Sequence, residues 1–128
     1  MGNGSIIANL TVKATDAAGN IYLNEYVAKT LPILAAAPNV SRYTQLIPTT
    51  SGGTALDIGA VSTNGVRWLQ NLDAANFIDV GIKQGGVFYP SIRLLAGEAW
   101  PIRVTPGITL YALADTASVV LKCPMMDA

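Results

Sequence analysis

The sequence predicts an all-β fold, a single antiparallel β-sandwich domain over residues 1–128 that is jelly-roll-like or immunoglobulin-like. Apolar and polar residues alternate over short runs, which is the pattern of half-buried strands. Clusters of Gly, Pro, Asn and Asp interrupt these runs about every 8–12 residues from position 41 onward, the turn spacing of sandwiches and barrels. No long run keeps the period of a helix without Gly or Pro, so we expect no long helix.

The first two predicted strands form a hairpin. Apolar residues occupy every second position of 6–14, and Asp16–Asn20 supplies the turn. The returning strand, over 21–28, has apolar residues on both of its faces. We expect residues 1–9 to form a flexible N-terminal arm, and the run 33–37 between two prolines to be a loop.

Eight further strands are predicted between the remaining turn signals. Asn64-Gly65 and Gly85-Gly86 supply the positive φ angles that tight hairpin turns need. Ala96-Gly97-Glu98 and Thr105-Pro106-Gly107 mark further turns. The predicted strands are Ser41–Ile47, Thr54–Val61, Gly65–Leu72, Asn76–Lys83, Val87–Leu95, Ala99–Val104, Ile108–Asp115 and Ser118–Cys123.

The low charge of the chain predicts that other protein covers part of its surface. Charged residues make up 12% of the chain, whereas soluble domains average ~25%. A formal net charge of zero also removes the repulsion that keeps copies apart. Several strands are apolar on both faces, as where Phe77 precedes Ile78 or Val119 precedes Val120. A two-layer sandwich buries one face of each sheet, so the second apolar face must meet loops, the Met1–Ser5 or Met125-Met126 segment, or neighbouring subunits.

Composition also excludes several classes of protein. The chain has no His, so neither a Ser-His-Asp nor a Cys-His catalytic unit nor a histidine-bound metal site can form. The single Cys, at position 123, cannot form an intramolecular disulfide, which fits a reducing compartment. The few cations are scattered, and no apolar run approaches the ~20 residues of a membrane span. We therefore expect no enzyme activity, no catalytic, metal or cofactor-binding residues, and neither nucleic acid nor membrane as a partner.

Three groups of residues leave alternatives open. Asp57 and Asp79 lie within predicted strands, where paired carboxylates could serve acid–base chemistry, although alternation with apolar neighbours accounts for both. Trp68 and Trp100 would form a carbohydrate-binding platform if both were exposed on one face, and core packing or a subunit contact is the other interpretation. Isolated arginines in three strands suit interfaces with other proteins, and plain solvation is the other interpretation.

Three motifs in the second half of the chain carry a resemblance to a known class of protein. They read Asn71-Leu72-Asp73-Ala74-Ala75-Asn76-Phe77-Ile78-Asp79-Val80-Gly81, then Phe88-Tyr89-Pro90-Ser91-Ile92-Arg93-Leu94-Leu95-Ala96-Gly97-Glu98, and finally Leu110-Tyr111-Ala112-Leu113-Ala114-Asp115-Thr116. The set resembles a pattern of small virion proteins of tailed bacteriophages; it covers residues 67–123, and Tyr89-Pro90 departs from it. The resemblance implies a β-sandwich present in many copies on a phage particle, with no catalytic residues to carry over.

The resemblance and the low charge together favour a structural virion protein, above all a capsid decoration (cement) protein that stabilises the head by bridging capsid subunits. We expect its partners to be the major capsid protein or other virion proteins and further copies of the chain, as a trimer, in a virion assembled in the bacterial host cytoplasm. The alternative is a tail, neck or fibre-associated β-sandwich module that binds carbohydrate or another virion protein. The expected contact residues are Arg67, Trp68, Phe77, Arg93, Trp100, Arg103, Tyr111 and Leu113.

Overall fold

The structure is a computed structural model that describes residues 5–32 and 43–127. Every strand pairing in these ranges is antiparallel and no residue in them is helical, which confirms the all-β prediction. The described part of the chain thus contains no helix that could cross a membrane. The chain divides into two compact units, Met1–Ala36 and Ala37–Ala128, and the expectation of one domain stays a prediction.

The first unit contains a long hairpin formed by β1 (Ser5–Thr15) and β2 (Ile21–Pro32). Its turn is set by Asp16, whose Oδ1 accepts hydrogen bonds from two backbone N–H groups of the turn, both at 2.9 Å. β1 pairs with β2 from its first residue onward, so the pairing begins within the segment expected to be a flexible arm. Residues 1–4 of that arm, and the loop expected at 33–37, lie outside the described residues.

The second unit contains, within residues 43–127, nine strands in a sheet of five and a sheet of four. They are β3 (Thr44–Ile47), β4 (Thr54–Ala55), β5 (Asn64–Asn71), β6 (Ile78–Gln84), β7 (Val87–Leu94), β8 (Ala99–Arg103), β9 (Tyr111–Ala114), β10 (Val119–Lys122) and β11 (Met125–Asp127). In the first sheet β5 is central: β8 pairs with one edge, and β10 followed by β11 pairs with the other. β3 extends this sheet beyond β10, and the second sheet has the order β4-β9-β6-β7.

The two sheets of the second unit pack face to face around an apolar core. Leu69 and Leu121 come from the first sheet, Ile78 and Val80 from the second, and all four are fully buried in one cluster. Successive residues of a strand point to opposite sides of the sheet. The residues that alternate with these four along their strands therefore face outward. The arrangement is the predicted antiparallel sandwich.

One predicted strand is much shorter in the structure. The strand expected over 54–61 ends at Ala55. Beyond it the backbone turns at Asp57, whose Oδ1 accepts a hydrogen bond from the N–H of Gly59 at 2.8 Å. The aspartate that alternation places inside a strand therefore caps a turn.

Another predicted strand, over 108–115, begins only at Tyr111. The side chain of Asn64 is buried, and its Nδ2 donates to the carbonyl oxygens of Thr105 at 3.1 Å and Ile108 at 2.6 Å. These bonds hold the segment before β9 as a turn, so it cannot join the sheet earlier. β11 has no predicted counterpart; it continues along the edge of β5 after β10.

Gly81 lies at an irregularity between β6 and β7. The register shifts between Val80 and Gly81, as it does at a β-bulge. A Cβ atom on Gly81 would collide with the carbonyl oxygen of Tyr89 and would lie 2.9 Å from the Cα atom of Pro90. Backbone atoms cannot rotate away as the end of a side chain can, so the close approach of β7 requires glycine at this position.

We expect Gly81→Ala to lower the free energy of unfolding by about 2 kcal/mol or more, because it overpacks the sheet against backbone. Urea unfolding followed by circular dichroism measures the effect. Gly85→Ala is the control, since the space around Gly85 is open and only its φ of 58° opposes a side chain. Equal losses in the two variants would contradict the close approach at Gly81.

Candidate assembly surface

The outward face of the first sheet carries large apolar side chains in contact with solvent. Leu46 pairs with Val120 in the register, and Leu72 donates its N–H to the carbonyl oxygen of Val120 at 3.1 Å. The three side chains form a row across the sheet and are exposed by 61% at Leu46, 42% at Val120 and 47% at Leu72. We name this outward side the open face. It comprises Thr44, Leu46, Val66, Trp68, Gln70, Leu72, Ala99, Pro101, Arg103, Val120 and Lys122.

The charged residues of the open face are both cations. Arg103 is exposed and lies opposite Val66 in the register. Lys122 reaches toward Tyr43 at the border of the face, with 5.1 Å between its Nζ atom and the centre of the ring. Because the described side chains of the open face include no carboxylate, the face attracts acidic surfaces and repels a second copy of itself.

The two tryptophans lie on opposite sides of the first sheet. Trp68 is half-buried opposite Pro101 on the open face, and its Nε1 donates to Oε1 of Gln70 at 3.2 Å. Trp100 lies opposite Leu69, whose side chain is in the core, and so belongs to the inward side of the edge strand β8. Directly opposed residues of antiparallel strands share a face. The two indoles therefore cannot form a common platform for a sugar.

Arg67 lies in the interior rather than on the open face, with 1% of its surface exposed. Its Nη2 donates to the carbonyl oxygen of Asp57 at 3.0 Å, so the guanidinium supports the turn from inside. Burial lowers the pKa of Arg67, and the neighbouring Cys123 and Asp57 raise it in part. Nε and Nη1 have no acceptor within hydrogen-bonding geometry. The expectation that Arg67 contacts a partner is corrected accordingly.

The outward face of the second sheet carries an ion pair within the chain. Arg93 binds Asp79 with both ends of its guanidinium, Nε to Oδ1 at 2.8 Å and Nη2 to Oδ2 at 2.9 Å. The hydrogen bond to Asp79 is the larger cause that raises the pKa of Arg93. The same guanidinium lies 3.8 Å from the centre of the Phe77 ring, while Leu113 lies opposite Asp79 in the register. Phe77 and Arg93 thus contact each other, and Leu113 lies across from the carboxylate that Arg93 binds.

The first motif that resembles virion proteins forms a hydrogen-bonded turn after β5. Oδ1 of Asp73 accepts hydrogen bonds from the backbone N–H groups of Asn76 at 2.7 Å and Ala75 at 2.8 Å. These bonds, with that of Asn76 the larger cause, lower the pKa of Asp73. Asn76 in turn accepts a hydrogen bond at its Oδ1 from the hydroxyl of Thr116 at 2.9 Å. The motif therefore has a structural role in the turn.

The predicted contact residues fall into three places. Trp68 and Arg103 lie on the open face, whereas Arg67 and Trp100 belong to the inward side of the same sheet. The other four lie on or beside the outward face of the second sheet. They are Phe77, Arg93, Tyr111 and Leu113.

The most exposed apolar residues of the open face are absent from the predicted set. Leu46 and Val120 each adjoin a buried apolar residue, Ile47 and Val119, and such a pair is the available signal for a strand that is apolar on both faces. Leu72 follows β5 directly and has no comparable signal in the sequence.

The described residues offer no group of three or more His, Cys, Asp or Glu side chains that could hold a metal ion. Asp57 caps a turn and Asp79 binds Arg93, so neither carboxylate is poised for acid–base chemistry with the other. A shallow depression of 510 Å³ lies beside the end of β6. Its aromatic residue, Tyr111, has the Nζ atom of Lys83 at 5.0 Å from the centre of its ring, so one face of that ring carries a cation.

Comparison with known proteins finds no relative of this chain. No protein-family model matches the chain, and neither a curated protein nor a solved structure does. The open face, the outward face of the second sheet and the sequence motifs are therefore the features that bear on function.

We expect acid to destabilise the protein partly through Asp73. Its pKa is lowered in the fold, so its contribution to stability is present above the ordinary value of 3.8 and is lost as the pH falls through the lowered folded value. In Asp73→Asn this contribution cannot titrate, so the fall in melting temperature below about pH 4 becomes smaller than in the wild type. Thermal unfolding between pH 7 and pH 2 measures both curves, and parallel curves would contradict the role of Asp73.

We expect Arg67→Met to retain or raise the free energy of unfolding, because it removes two buried donors without acceptors and keeps most of the side-chain volume. Arg67→Ala leaves a cavity instead and should cost about 2 kcal/mol or more. Urea unfolding of both variants tests the comparison. A loss in Arg67→Met as large as that in Arg67→Ala would show that the charge itself stabilises the fold.

Proposed function

We propose that the protein is a structural virion protein of a tailed bacteriophage, a capsid decoration protein that stabilises the head by bridging capsid subunits. The observation that carries the proposal is the open face, with its exposed row of Leu46, Val120 and Leu72. An apolar sheet surface of this kind marks a site of contact with another protein. The motifs that resemble phage virion proteins supply the class of particle.

The physics of decoration matches the open face. Burial of apolar surface contributes about 25 cal/mol per Å², and a standard interface buries about 800 Å² on each partner. A protein that buries such an area across the boundary between capsid subunits lowers the free energy of the assembled shell. Arg103 and Lys122 favour an acidic partner surface and accelerate the encounter, so binding should weaken with salt.

The outward face of the second sheet is less suited to binding the capsid. It carries the Asp79–Arg93 ion pair, and its further cation, Lys83, lies over the ring of Tyr111, so that face has less to gain from a partner. The open face has apolar side chains and charges of one sign, and binding to an acidic, apolar surface would satisfy both. We therefore assign the contact with the major capsid protein, or with another virion protein, to the first sheet.

The second candidate function is a tail, neck or fibre-associated module that binds another virion protein. Such a module would use the same open face. The carbohydrate form of this alternative is disfavoured by the opposite orientations of Trp68 and Trp100. The copy number in purified particles separates head from tail. A number comparable to that of the major capsid protein supports decoration, and a few copies per particle support the tail or neck.

We expect the variant Leu46→Ser with Val120→Ser to reduce binding to empty capsids by roughly tenfold or more, because it removes two exposed apolar side chains from the open face. The capsids are those of the phage whose genome encodes the chain, and binding is measured by co-sedimentation. The matched control is Val87→Ser with Leu95→Ser, which changes the same residue types at similar exposure, 53% each, outside the open face. A wild-type protein without affinity for capsids, or equal losses in both variants, would refute the proposal.

A further inference from the structure

Two edge strands of the second unit are long enough for a further strand to pair with them. Within residues 43–127, β7 pairs with β6 alone and β8 pairs with β5 alone. β7 has eight residues and β8 has five, and each leaves one side without a neighbour among the described strands. We name these sides the β7 edge and the β8 edge. Unpaired N–H and C=O groups along such an edge are a template on which another chain adds a strand.

The direction of the backbone groups in β8 follows from its pairing with β5. At one end the N–H of Asn71 donates to the carbonyl oxygen of Glu98 at 3.0 Å. At the other end the N–H of Val104 donates to the carbonyl oxygen of Gly65 at 2.9 Å. Successive residues of an antiparallel strand direct their groups alternately toward the partner and away from it. Positions 98, 100, 102 and 104 therefore face β5, and positions 99, 101 and 103 point out from the β8 edge.

Pro101 occupies the central one of these three outward positions. A proline has no N–H, and its ring fills the space into which the hydrogen would point. Neighbouring strands of a sheet lie only about 4.8 Å apart. A strand that approached the β8 edge would therefore lose a hydrogen bond at the centre of the ladder and would meet the ring of Pro101.

Pro90 has the corresponding place on the β7 edge. The carbonyl oxygen of Tyr89 lies so close to Gly81 of β6 that a Cβ atom on the glycine would collide with it, so this carbonyl points toward β6. In a trans peptide the carbonyl oxygen and the substituent on the following nitrogen point in opposite directions. The ring of Pro90 therefore points out from the β7 edge, where the residue is exposed. The irregularity at Gly81 interrupts the same strand pair and adds to the obstruction.

The other edge strands of the two sheets are short. In the part of the second unit that the structure describes, β4 has two residues, β11 has three and β3 has four. A very short edge strand offers few backbone groups to an added strand, which is itself a protection. An outward proline is thus present on each of the two edges that length alone leaves open.

We propose that Pro90 and Pro101 keep the β7 and β8 edges from pairing with a second copy of this chain. Contacts of the sandwich with other proteins are then made by the side chains of a sheet face and not by addition of a strand. The inference goes beyond the proposed function, because it concerns the sheet edges and holds whether or not the open face binds a capsid.

Restoring the N–H at position 101 tests the inference. Pro101→Val and Pro101→Thr introduce side chains of nearly the same shape that both favour strands, but only the first is wholly apolar. Sedimentation velocity of the full chain measures the fraction in large assemblies, and infrared spectroscopy detects sheets formed between chains. We expect both variants to raise that fraction roughly tenfold or more over the wild type at equal concentration, because each completes the ladder of the β8 edge. Pro90→Val should act in the same direction but more weakly, since the irregularity at Gly81 remains.

Pro106→Val is the matched control, since it replaces an exposed proline of the turn after β8 and should leave association unchanged. Every variant retains the β1–β2 hairpin, so association through that hairpin is common to all of them and to the wild type. Three outcomes would each overturn the proposal: Pro101 variants that associate no more than the wild type, an equal effect of Pro106→Val, or an effect of Pro101→Val that Pro101→Thr lacks. Association that begins only after the native circular dichroism spectrum is lost would also overturn it, because unfolding would then be the cause.

Discussion

The buried amide of Asn71 joins the two sheets of the second unit. Asn71 is fully buried at the end of β5, and its Nδ2 donates to the carbonyl oxygen of Leu94 in β7 at 3.1 Å. The same Nδ2 donates to the carbonyl oxygen of Asn76 at 2.8 Å, and Oδ1 accepts from the N–H of Asp73 at 2.9 Å. An unpaired polar group in this position would cost about 1–3 kcal/mol, so the position of β5 relative to β7 and to the following turn is strongly constrained.

The surfaces of the protein depend on that constraint. With Asn71 and Leu69 directed inward, alternation directs Gln70 and Trp68 outward, and a slip by one residue would exchange the two sets. The register of β5 therefore decides which residues form the open face. On the opposite side of the sandwich, Asp79 and Arg93 neutralise each other on the outward face of the second sheet. The two outward faces consequently differ in what they offer to a partner.

The sequence was sufficient for the fold class and for the centres of most strands, because alternation and turn residues are local signals. It was insufficient wherever a distant group decides the outcome. Arg67 has the pattern of an outward interface residue, yet it lies two residues from Leu69 in β5 and so points to the same, buried side of the sheet. Trp68 and Trp100 can be assigned to opposite sides only from the register between β5 and β8. The open face likewise needs the order of β3, β10 and β5, which no local pattern contains.

The central position of β5 has a consequence for the order of folding. Its pairing partners β8, β10 and β11 come from residues 99–127, whereas β6 and β7 form a local hairpin. Local contacts form early, and pairings across long loops form late. On the ribosome, synthesis proceeds at about 5–20 residues per second, and both edges of β5 stay unpaired until residues 99–127 emerge. The first sheet is then completed last, so a nascent chain presents no finished binding surface before its own sandwich has closed.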